Sequence, residues 1–219
     1  MSVINMRLST KIPAIMLVLA ILNASIISSV ALYFSFQAAE NQSVDKLEAI
    51  RDQMNSSITD YFDGIRKDLV LNAGAQITIN ALHSFQKGWD DLGEINQTTY
   101  LQKKYIDENP NKIGEKHLLD FAPDGSEYSA QHAIYDPWFR DVLLSHNYYD
   151  IFIINAQGDV LFTVYKERDF ATNVMQGQWK DTALGNLFRE IKANPTKGKT
   201  YFEDFKPYLP SENVPAAFV

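Results

Sequence analysis

Polar and aromatic side chains of the kinds that hold a small polar ligand are interleaved between residues 132 and 179. Arginine can grip a carboxylate with two hydrogen bonds, and aspartate can accept hydrogen bonds from an ammonium group. Aromatic residues supply the walls of the concave site that such a ligand needs. The sequence therefore predicts a small-molecule site. Its candidate ligand-binding residues are Tyr135, Trp138, Arg140, Tyr149, Asp150, Tyr165, Lys166 and Asp169, with His132 and Trp179 in the same region.

The alternative is that the aromatic residues of this region form a hydrophobic core. The residues that would then be packing residues are Trp138, Phe139, Phe152 and Phe162. Arg140 and Asp169 are harder to explain in this way, because charged side chains are rarely buried. They are therefore the strongest candidates for the site, although the run KERDF at residues 166–170 can equally be the exposed end of a strand.

Motifs of catalysis are absent from the sequence. There is no G-x-S-x-G, no G-x-x-x-x-G-K-[ST], no G-x-G-x-x-G and no H-E-x-x-H. The four histidines show no metal-ligand spacing, and cysteine is absent, which excludes disulfides, thiolate metal sites and cysteine nucleophiles. A net charge of −7 argues against a broad nucleic-acid surface. We expect a protein that is not an enzyme, with no cofactor, no metal and no nucleic-acid partner.

A membrane-spanning segment is predicted near the amino terminus. Residues 12–36 carry no charge, and as a helix these 25 residues would extend about 37 Å, against about 30 Å of hydrocarbon core. Arg7 and Lys11 precede the segment, so the positive-inside rule places residues 1–11 in the cytoplasm and residues 37–219 outside. The alternative is a cleaved signal peptide, whose apolar region is normally shorter, about 7–15 residues.

The chain directly after this segment reads as a long helix. Apolar residues recur at steps of three or four from Val44 to Leu69, which keeps one stripe on one side of a helix. This helix either packs on its own domain or pairs with a second copy of the chain in a homodimer. The near-heptad steps and the continuity with the membrane segment favour the homodimer.

Shorter elements follow from residue 135 onward. A short helix opened by Pro137 is predicted first, then a hairpin of residues 151–154 and 160–165 around a polar turn. A second helix, capped by Asp181 and ended by Pro195, is expected next, and the runs 198–208 and 214–219 are strand candidates. The residues predicted to form the buried stripe of that second helix are Leu184, Leu187, Phe188 and Ile191.

Four blocks of the sequence resemble a known family. HAIYDPWFR, YYDIFIINAQGDVLFTVYKERDFATNV, WKDTALGNLFREI and FEDFKPYLPSENVPAAFV, in this order, look like the periplasmic part of bacterial methyl-accepting chemotaxis proteins. These are transmembrane chemoreceptors that carry a Cache-type sensor domain. The resemblance implies an α+β fold, in which a transmembrane helix continues into a long helix and a PAS-like (Cache) antiparallel sheet follows.

The resemblance also implies a domain plan and partners. Residues 1–11 would be cytoplasmic, 12–36 transmembrane, 37–110 an extracytoplasmic helical region and 111–219 a Cache sensor module with an incomplete sheet. The module would lie in the periplasm, anchored in the bacterial inner membrane. It would bind a small molecule such as an amino acid or organic acid, and work as a homodimer. The chain would be the amino-terminal fragment of a receptor whose output module is chemotactic, a histidine kinase or a nucleotide cyclase. An anchored exported enzyme or scaffold is the further alternative.

Overall fold

The computed structural model describes residues 7–219, and the chain divides into two compact units between Asp63 and Gly64. Residues 1–6 of the predicted cytoplasmic segment lie outside the described residues. The second unit takes in part of the predicted helical region together with the predicted sensor module. The boundaries expected at residues 36 and 110 stay predictions.

Helix α1 spans Leu8–Gly74, 67 residues without interruption, and none of its residues is buried. It confirms the prediction that the apolar segment continues into a long helix. By length and composition this helix could cross a membrane. A core helix of a soluble domain would instead bury its apolar side chains. The predicted stripe is exposed as well, with Leu47 at 67% and Met54 at 63%.

Three further helices precede the hairpin. They are α2 (Gln76–Asp91), α3 (Gln97–Gln102), which continues into a π-helical turn at Lys103–Asp107, and α4 (Glu127–His146). α2 packs against α4 and against the second strand of the hairpin. A short 3₁₀ turn, Lys116–Leu118, lies in the loop before α4.

Helix α4 begins ten residues earlier than predicted. The expectation that Pro137 opens it is wrong, because Pro137 lies inside the helix and Ser126 caps it by accepting a hydrogen bond from the Ser129 N–H. The turn-forming residues before Ser126 hid this start in the sequence. The helix ends at Asn147, which adopts the left-handed conformation typical of helix ends.

The predicted hairpin is confirmed. Strands β1 (Phe152–Ile154) and β2 (Val160–Thr163) pair antiparallel. In the turn, Gly158 has φ of +92°, a conformation that glycine adopts without a steric penalty. The Asn155 side chain fixes the turn, because its Oδ1 accepts from the N–H groups of Gln157 at 3.0 Å and Asp159 at 2.9 Å. Every residue of β2 is buried.

The carboxyl-terminal part consists of helix α5 (Ala183–Ala193) and strands β3 (Glu203–Tyr208) and β4 (Val214–Phe218). β3 and β4 pair antiparallel across a 3₁₀ turn, Leu209–Ser211. The cap of α5 is Thr182 rather than the predicted Asp181, since the Thr182 side chain accepts from the Gly185 N–H. Of the predicted stripe, Leu184 and Leu187 are buried, Phe188 is half-buried and Ile191 is exposed.

The described chain is mostly helical, with two small antiparallel sheets, and is compatible with the predicted α+β class. The four described strands hydrogen-bond as two separate pairs, β1 with β2 and β3 with β4. These strands therefore do not form the single PAS-like sheet that the resemblance implied. Aromatic rings dominate the main core, where Phe85 of α2 stacks on Phe162 of β2 with ring centroids 4.9 Å apart. Phe139 and Phe162 are therefore core residues, as the alternative interpretation expected.

The contact between α2 and α4 leaves no room for a side chain at Gly88. A Cβ built there would lie 2.6 Å from the Cα of Tyr128, so the two backbones would have to separate. We expect Gly88→Ala to lower the free energy of unfolding by about 1–3 kcal/mol, measured by denaturant titration of the full chain in detergent micelles.

Gly64→Ala is the matched control, because no described atom lies within 4 Å of a Cβ at that position of α1. It should be neutral or stabilising by about 0.5–1 kcal/mol through helix propensity. Equal losses in the two variants would contradict the close packing of α2 on α4.

Candidate functional site

Residues 164–172 follow β2 and form a largely buried connecting segment, here called the strap. Two of its residues, Lys166 and Ala171, have φ of 56° and 58°, which is uncommon for residues with a side chain. Such backbone persists where the surrounding contacts hold it in place, and it is often found at functional sites. One such contact is the Gln102 side chain, whose Nε2 donates to two strap carbonyls at 2.9 and 2.8 Å.

A buried ion network joins the strap to α4. Asp136 and Lys166 are both fully buried, and Lys166 Nζ donates to Asp136 Oδ1 at 2.9 Å. Nη1 of Arg140 donates to the other Asp136 oxygen at 3.1 Å. It also contacts Asp120 Oδ1 and the His117 carbonyl, each at 2.7 Å. Burial raises the pKa of Asp136 to about 6 although Lys166 opposes the shift, and burial lowers the pKa of Lys166.

His132 extends this network inside α4. It is fully buried, and its Nδ1 donates to the Asp120 carbonyl at 2.5 Å. Its Nε2 lies 3.6 Å from Asp136 Oδ1 and has no hydrogen-bond partner among the described residues. Burial, with the charge of Lys166 adding to it, holds the pKa of His132 well below its usual value, so the ring is neutral at pH 7. His132 is thus a core histidine in contact with the network.

The carboxyl groups of Asp150 and Asp169 lie at the strap, and each has one shielded oxygen without a partner among the described residues. Asp150 Oδ1 accepts from the N–H groups of Ile151, Val164 and Tyr165 at 2.7, 2.9 and 3.1 Å. Asp169 Oδ2 accepts from the hydroxyl group at the end of β3 at 2.6 Å. Asp150 Oδ2 and Asp169 Oδ1 have no hydrogen-bond partner among the described residues. Burial raises the pKa of both groups, that of Asp169 to about 7, and the neighbouring Asp169 raises that of Asp150 further.

Tyrosine side chains surround these carboxyl groups. The hydroxyl that donates to Asp169 belongs to Tyr208, which is buried. Tyr149 and Tyr165 stack with ring centroids 5.9 Å apart and planes at 18°. The Tyr149 hydroxyl donates to Glu167 Oε1 at 2.9 Å, and the Ser211 hydroxyl donates to the other oxygen of Glu167. The strap, the residues just before β1 and the turn after β3 therefore meet at one cluster of tyrosines and carboxyl groups.

The structure thus brings five of the eight predicted binding residues to the strap or into direct contact with it. These five are Tyr149, Asp150, Tyr165, Lys166 and Asp169, whereas Arg140 reaches the strap only through Asp136. Tyr135 instead contacts α2, with its hydroxyl 3.4 Å from Ser84 Oγ, and Trp138 packs edge-on against Phe139. Outside the eight, Trp179 also reaches the strap, since its Nε1 donates to the Arg168 carbonyl at 3.0 Å.

Sequence reasoning missed four residues of this cluster. Asp136 had a usable signal, because it stands four residues before Arg140, the spacing at which helical side chains pair. Glu167 was seen only as part of a charged run. Tyr208 and Ser211 are 39 and 44 residues from their partners, and no local pattern indicates such contacts.

Comparison with known proteins gave no match: no family model, no curated protein and no solved structure corresponds to this chain. Among the described residues there is no group of three or more potential metal ligands. A cavity of about 140 Å³ lies away from the strap, beside the salt bridge of Lys104 with Glu108, and none of the eight predicted residues lines it. The strap cluster offers hydrogen-bonding and charged groups to a ligand.

The buried carboxyl of Asp169 makes stability depend on pH. Its pKa is about 7 in the folded chain against an ordinary 3.8, so the folded state holds the proton more tightly than the unfolded state. The free energy of unfolding therefore falls as pH rises from about 4 to about 7. At about 1.36 kcal/mol per pKa unit, this carboxyl group should lower the free energy of unfolding of the parent by up to about 4 kcal/mol over that pH range. We expect Asp169→Asn to lack this decrease.

Denaturant titrations of parent and variant at pH 4.5 and pH 8 check this, with the exposed Asp141→Asn as control. His132 acts in the opposite direction, because its lowered pKa makes the folded state lose stability as pH falls. The difference between parent and variant isolates Asp169 from that effect. Identical pH dependence in Asp169→Asn and the parent would show that this carboxyl does not titrate in the folded chain.

Proposed function

We propose that the chain is the extracytoplasmic ligand-sensing and membrane-anchoring part of a bacterial chemoreceptor. It binds a small molecule at the strap, in a module exposed to the periplasm, and passes a conformational signal across the inner membrane. The proposal takes its receptor class from the resemblance of residues 130–219 to methyl-accepting chemotaxis proteins. The strap supplies the site.

The observation that carries the proposal is the set of polar groups held at the strap. A core that served stability alone would gain from replacing buried charges by apolar side chains. This chain keeps Asp136, Lys166 and Asp169 buried and Asp150 half-buried, and one shielded oxygen each of Asp150 and Asp169 has no hydrogen-bond partner among the described residues. Groups of this kind are enriched where a ligand completes the hydrogen bonding.

A short series of contacts leads from the strap to the end of α1. In the second unit, Asp68 near the end of α1 lies 3.4 Å from His146 Nε2 and accepts from the Tyr148 hydroxyl at 3.3 Å. Tyr148 stands two residues before Asp150, whose carboxyl group holds the strap backbone. A ligand that binds one arrangement of the strap better than another would shift the position of this corner of α1. Its effect cannot exceed its difference in affinity for the two arrangements.

Two alternatives share parts of this account. The same sensor could serve a histidine kinase or a nucleotide cyclase instead of a chemotaxis protein, and the identity of the output module would distinguish these. An anchored exported enzyme or scaffold would need no ligand-dependent movement. That alternative predicts that small molecules leave the conformation of the module unchanged.

A thermal-shift panel on the full chain in detergent micelles tests the proposal. The panel contains amino acids, organic acids and amines, each titrated to saturation. A compound at 100 times its Kd stabilises the folded state by about 2.7 kcal/mol, which raises Tm by several degrees. We expect one chemical class to do so, and to lose the effect in Asp169→Asn while retaining it in Asp141→Asn. A Tm that no compound in the panel moves would contradict ligand sensing at the strap.

A further inference from the structure

The two unsatisfied carboxyl oxygens point to a missing hydrogen-bond donor. Asp150 Oδ2 and Asp169 Oδ1 are shielded from solvent, and Asp169 is 0% exposed. Leaving a buried acceptor without a donor costs about 1–3 kcal/mol, and such groups are rare in native proteins. Asp169 is a strap residue and Asp150 accepts from two strap N–H groups, so a donor group bound at the strap is placed to satisfy these oxygens.

The charges around these oxygens favour a cation. Glu167 adds a third carboxyl group close enough to raise the pKa values of both Asp150 and Asp169. The nearest described cation, Lys166, gives its hydrogen bonds to Asp136 and to the Val164 carbonyl. Asp150 is close enough to Lys166 to raise its pKa, but no described cationic side chain hydrogen-bonds to Asp150 or Asp169, so a cationic donor on a ligand would be their first such partner.

The same charges disfavour a carboxylate on the ligand. The sequence suggested that Arg140 would grip one, but its guanidinium is engaged by Asp136, Asp120 and the His117 carbonyl. A ligand carboxylate near Asp150 and Asp169 would meet like charges, and Nη1 of Arg140 already binds oxygens of Asp136, Asp120 and His117. Like-charge contacts of this kind cost several kcal/mol and exclude wrong partners.

The tyrosines suit an ammonium group as well. Tyr149 and Tyr165 form a stacked pair beside the carboxyl groups, and aromatic faces attract cations through the ring quadrupole. Tyr149 is 53% exposed, so the cluster reaches the surface of the module at this ring. The hydrogen bonds from Tyr149 and Ser211 to Glu167 tie the turn at Leu209–Ser211 to the strap beside this ring.

We infer that the ligand of this sensor is an organic ammonium compound without a carboxylate, whose N–H groups are bound by Asp150 and Asp169. The inference rests on the proposed function, because it names the ligand class for the same site. The ammonium group replaces the missing donor, neutralises the cluster and lies against the stacked tyrosines. Amino acids and organic acids are excluded as ligands, because their carboxylates would be repelled by the carboxyl groups that bind the amine.

Four probes of matched chain length test this inference: butylamine, γ-aminobutyrate, butyrate and butan-1-ol. Each is titrated calorimetrically into the full chain in detergent micelles. We expect butylamine to bind at least about tenfold more tightly than the other three, the ratio that about 1.4 kcal/mol produces. Asp169→Asn and Asp150→Asn should each weaken butylamine at least about tenfold, whereas Asp141→Asn should leave it unchanged, and circular dichroism verifies that each variant is folded.

Each other outcome overturns a specific statement. Binding of γ-aminobutyrate or butyrate as tight as that of butylamine would overturn the ammonium inference and leave the sensor proposal standing. Unchanged butylamine affinity in both folded asparagine variants would overturn the assignment of the site. Absence of binding by all four probes would overturn the inference, and the wider thermal-shift panel would then decide the sensor proposal separately.

Discussion

Asp136→Asn is expected to lower the free energy of unfolding by about 3–5 kcal/mol, because it leaves the buried Lys166 without its carboxylate. Lys166 is 0% exposed, and its other hydrogen bond goes to a neutral carbonyl, that of Val164. A buried ammonium loses most of its solvation, so its partner must compensate. Denaturant titration of the full chain in detergent micelles at pH 7 measures the loss.

A double variant and a control variant test whether the loss comes from the unpaired buried charge. Adding Lys166→Met to Asp136→Asn removes the unpaired charge and should recover most of the loss, since apolar replacements of buried ion pairs are often neutral or stabilising. Asp107→Asn breaks the exposed pair with Arg168, whose side chains are more than half exposed, and should cost less than about 1 kcal/mol. A loss in Asp136→Asn as small as that in Asp107→Asn would contradict the buried pairing.

Phe162→Ala is the second substitution with a large expected effect. Phe162 is fully buried in β2, stacks on Phe85 at 4.9 Å and lies 5.2 Å from the Phe139 ring. It therefore joins the hairpin to both α2 and α4. Truncation of a phenylalanine in such a core typically costs about 3–5 kcal/mol, from lost burial and from the cavity that remains.

Phe205→Ala provides the comparison for that measurement. Phe205 of β3 is 64% exposed, so its truncation should change the free energy of unfolding by less than about 0.5 kcal/mol. For each variant, the change in the free energy of unfolding is calculated from the shift of the denaturant midpoint relative to the parent, with the same denaturant dependence (m value) used for all three proteins. If Phe162→Ala were as mild as Phe205→Ala, the aromatic core would not be what holds the hairpin on the helices.

Local pattern was enough to predict the elements whose signal lies within a few residues. The hairpin was recognisable because two apolar runs flank a turn with Gly158, and α1 because apolar residues recur at helical steps. The start of α4 was missed because turn-forming residues precede Ser126, although that serine is itself a typical cap. Asp181 was predicted to cap α5, but the cap is the next residue, Thr182. The sequence pattern thus located this helix start only to within one residue.

The pairing of charges could not be predicted in this way. Asp136 and Lys166 are 30 residues apart, and Asp169 is 39 residues from Tyr208. Only the folded chain shows that Arg140 is engaged within the protein whereas Asp169 keeps a free oxygen. From the sequence both looked equally available to a ligand. The candidate residues were thus largely found from composition, but which of them can bind follows from tertiary contacts.

The central claim is that a small molecule bound at the strap changes the arrangement of α1, and disulfide cross-linking measures this directly. The chain has no cysteine, so Met54→Cys on the exposed apolar stripe and Asp52→Cys on the opposite face each provide a single reactive thiol. In a homodimer paired through the stripe, only Met54→Cys brings two thiols within bonding distance. We expect Met54→Cys to cross-link in membranes, Asp52→Cys to remain monomeric, and a ligand that raises Tm to change the rate for Met54→Cys. An unchanged rate at saturating ligand, or equal cross-linking of the two variants, would contradict the account.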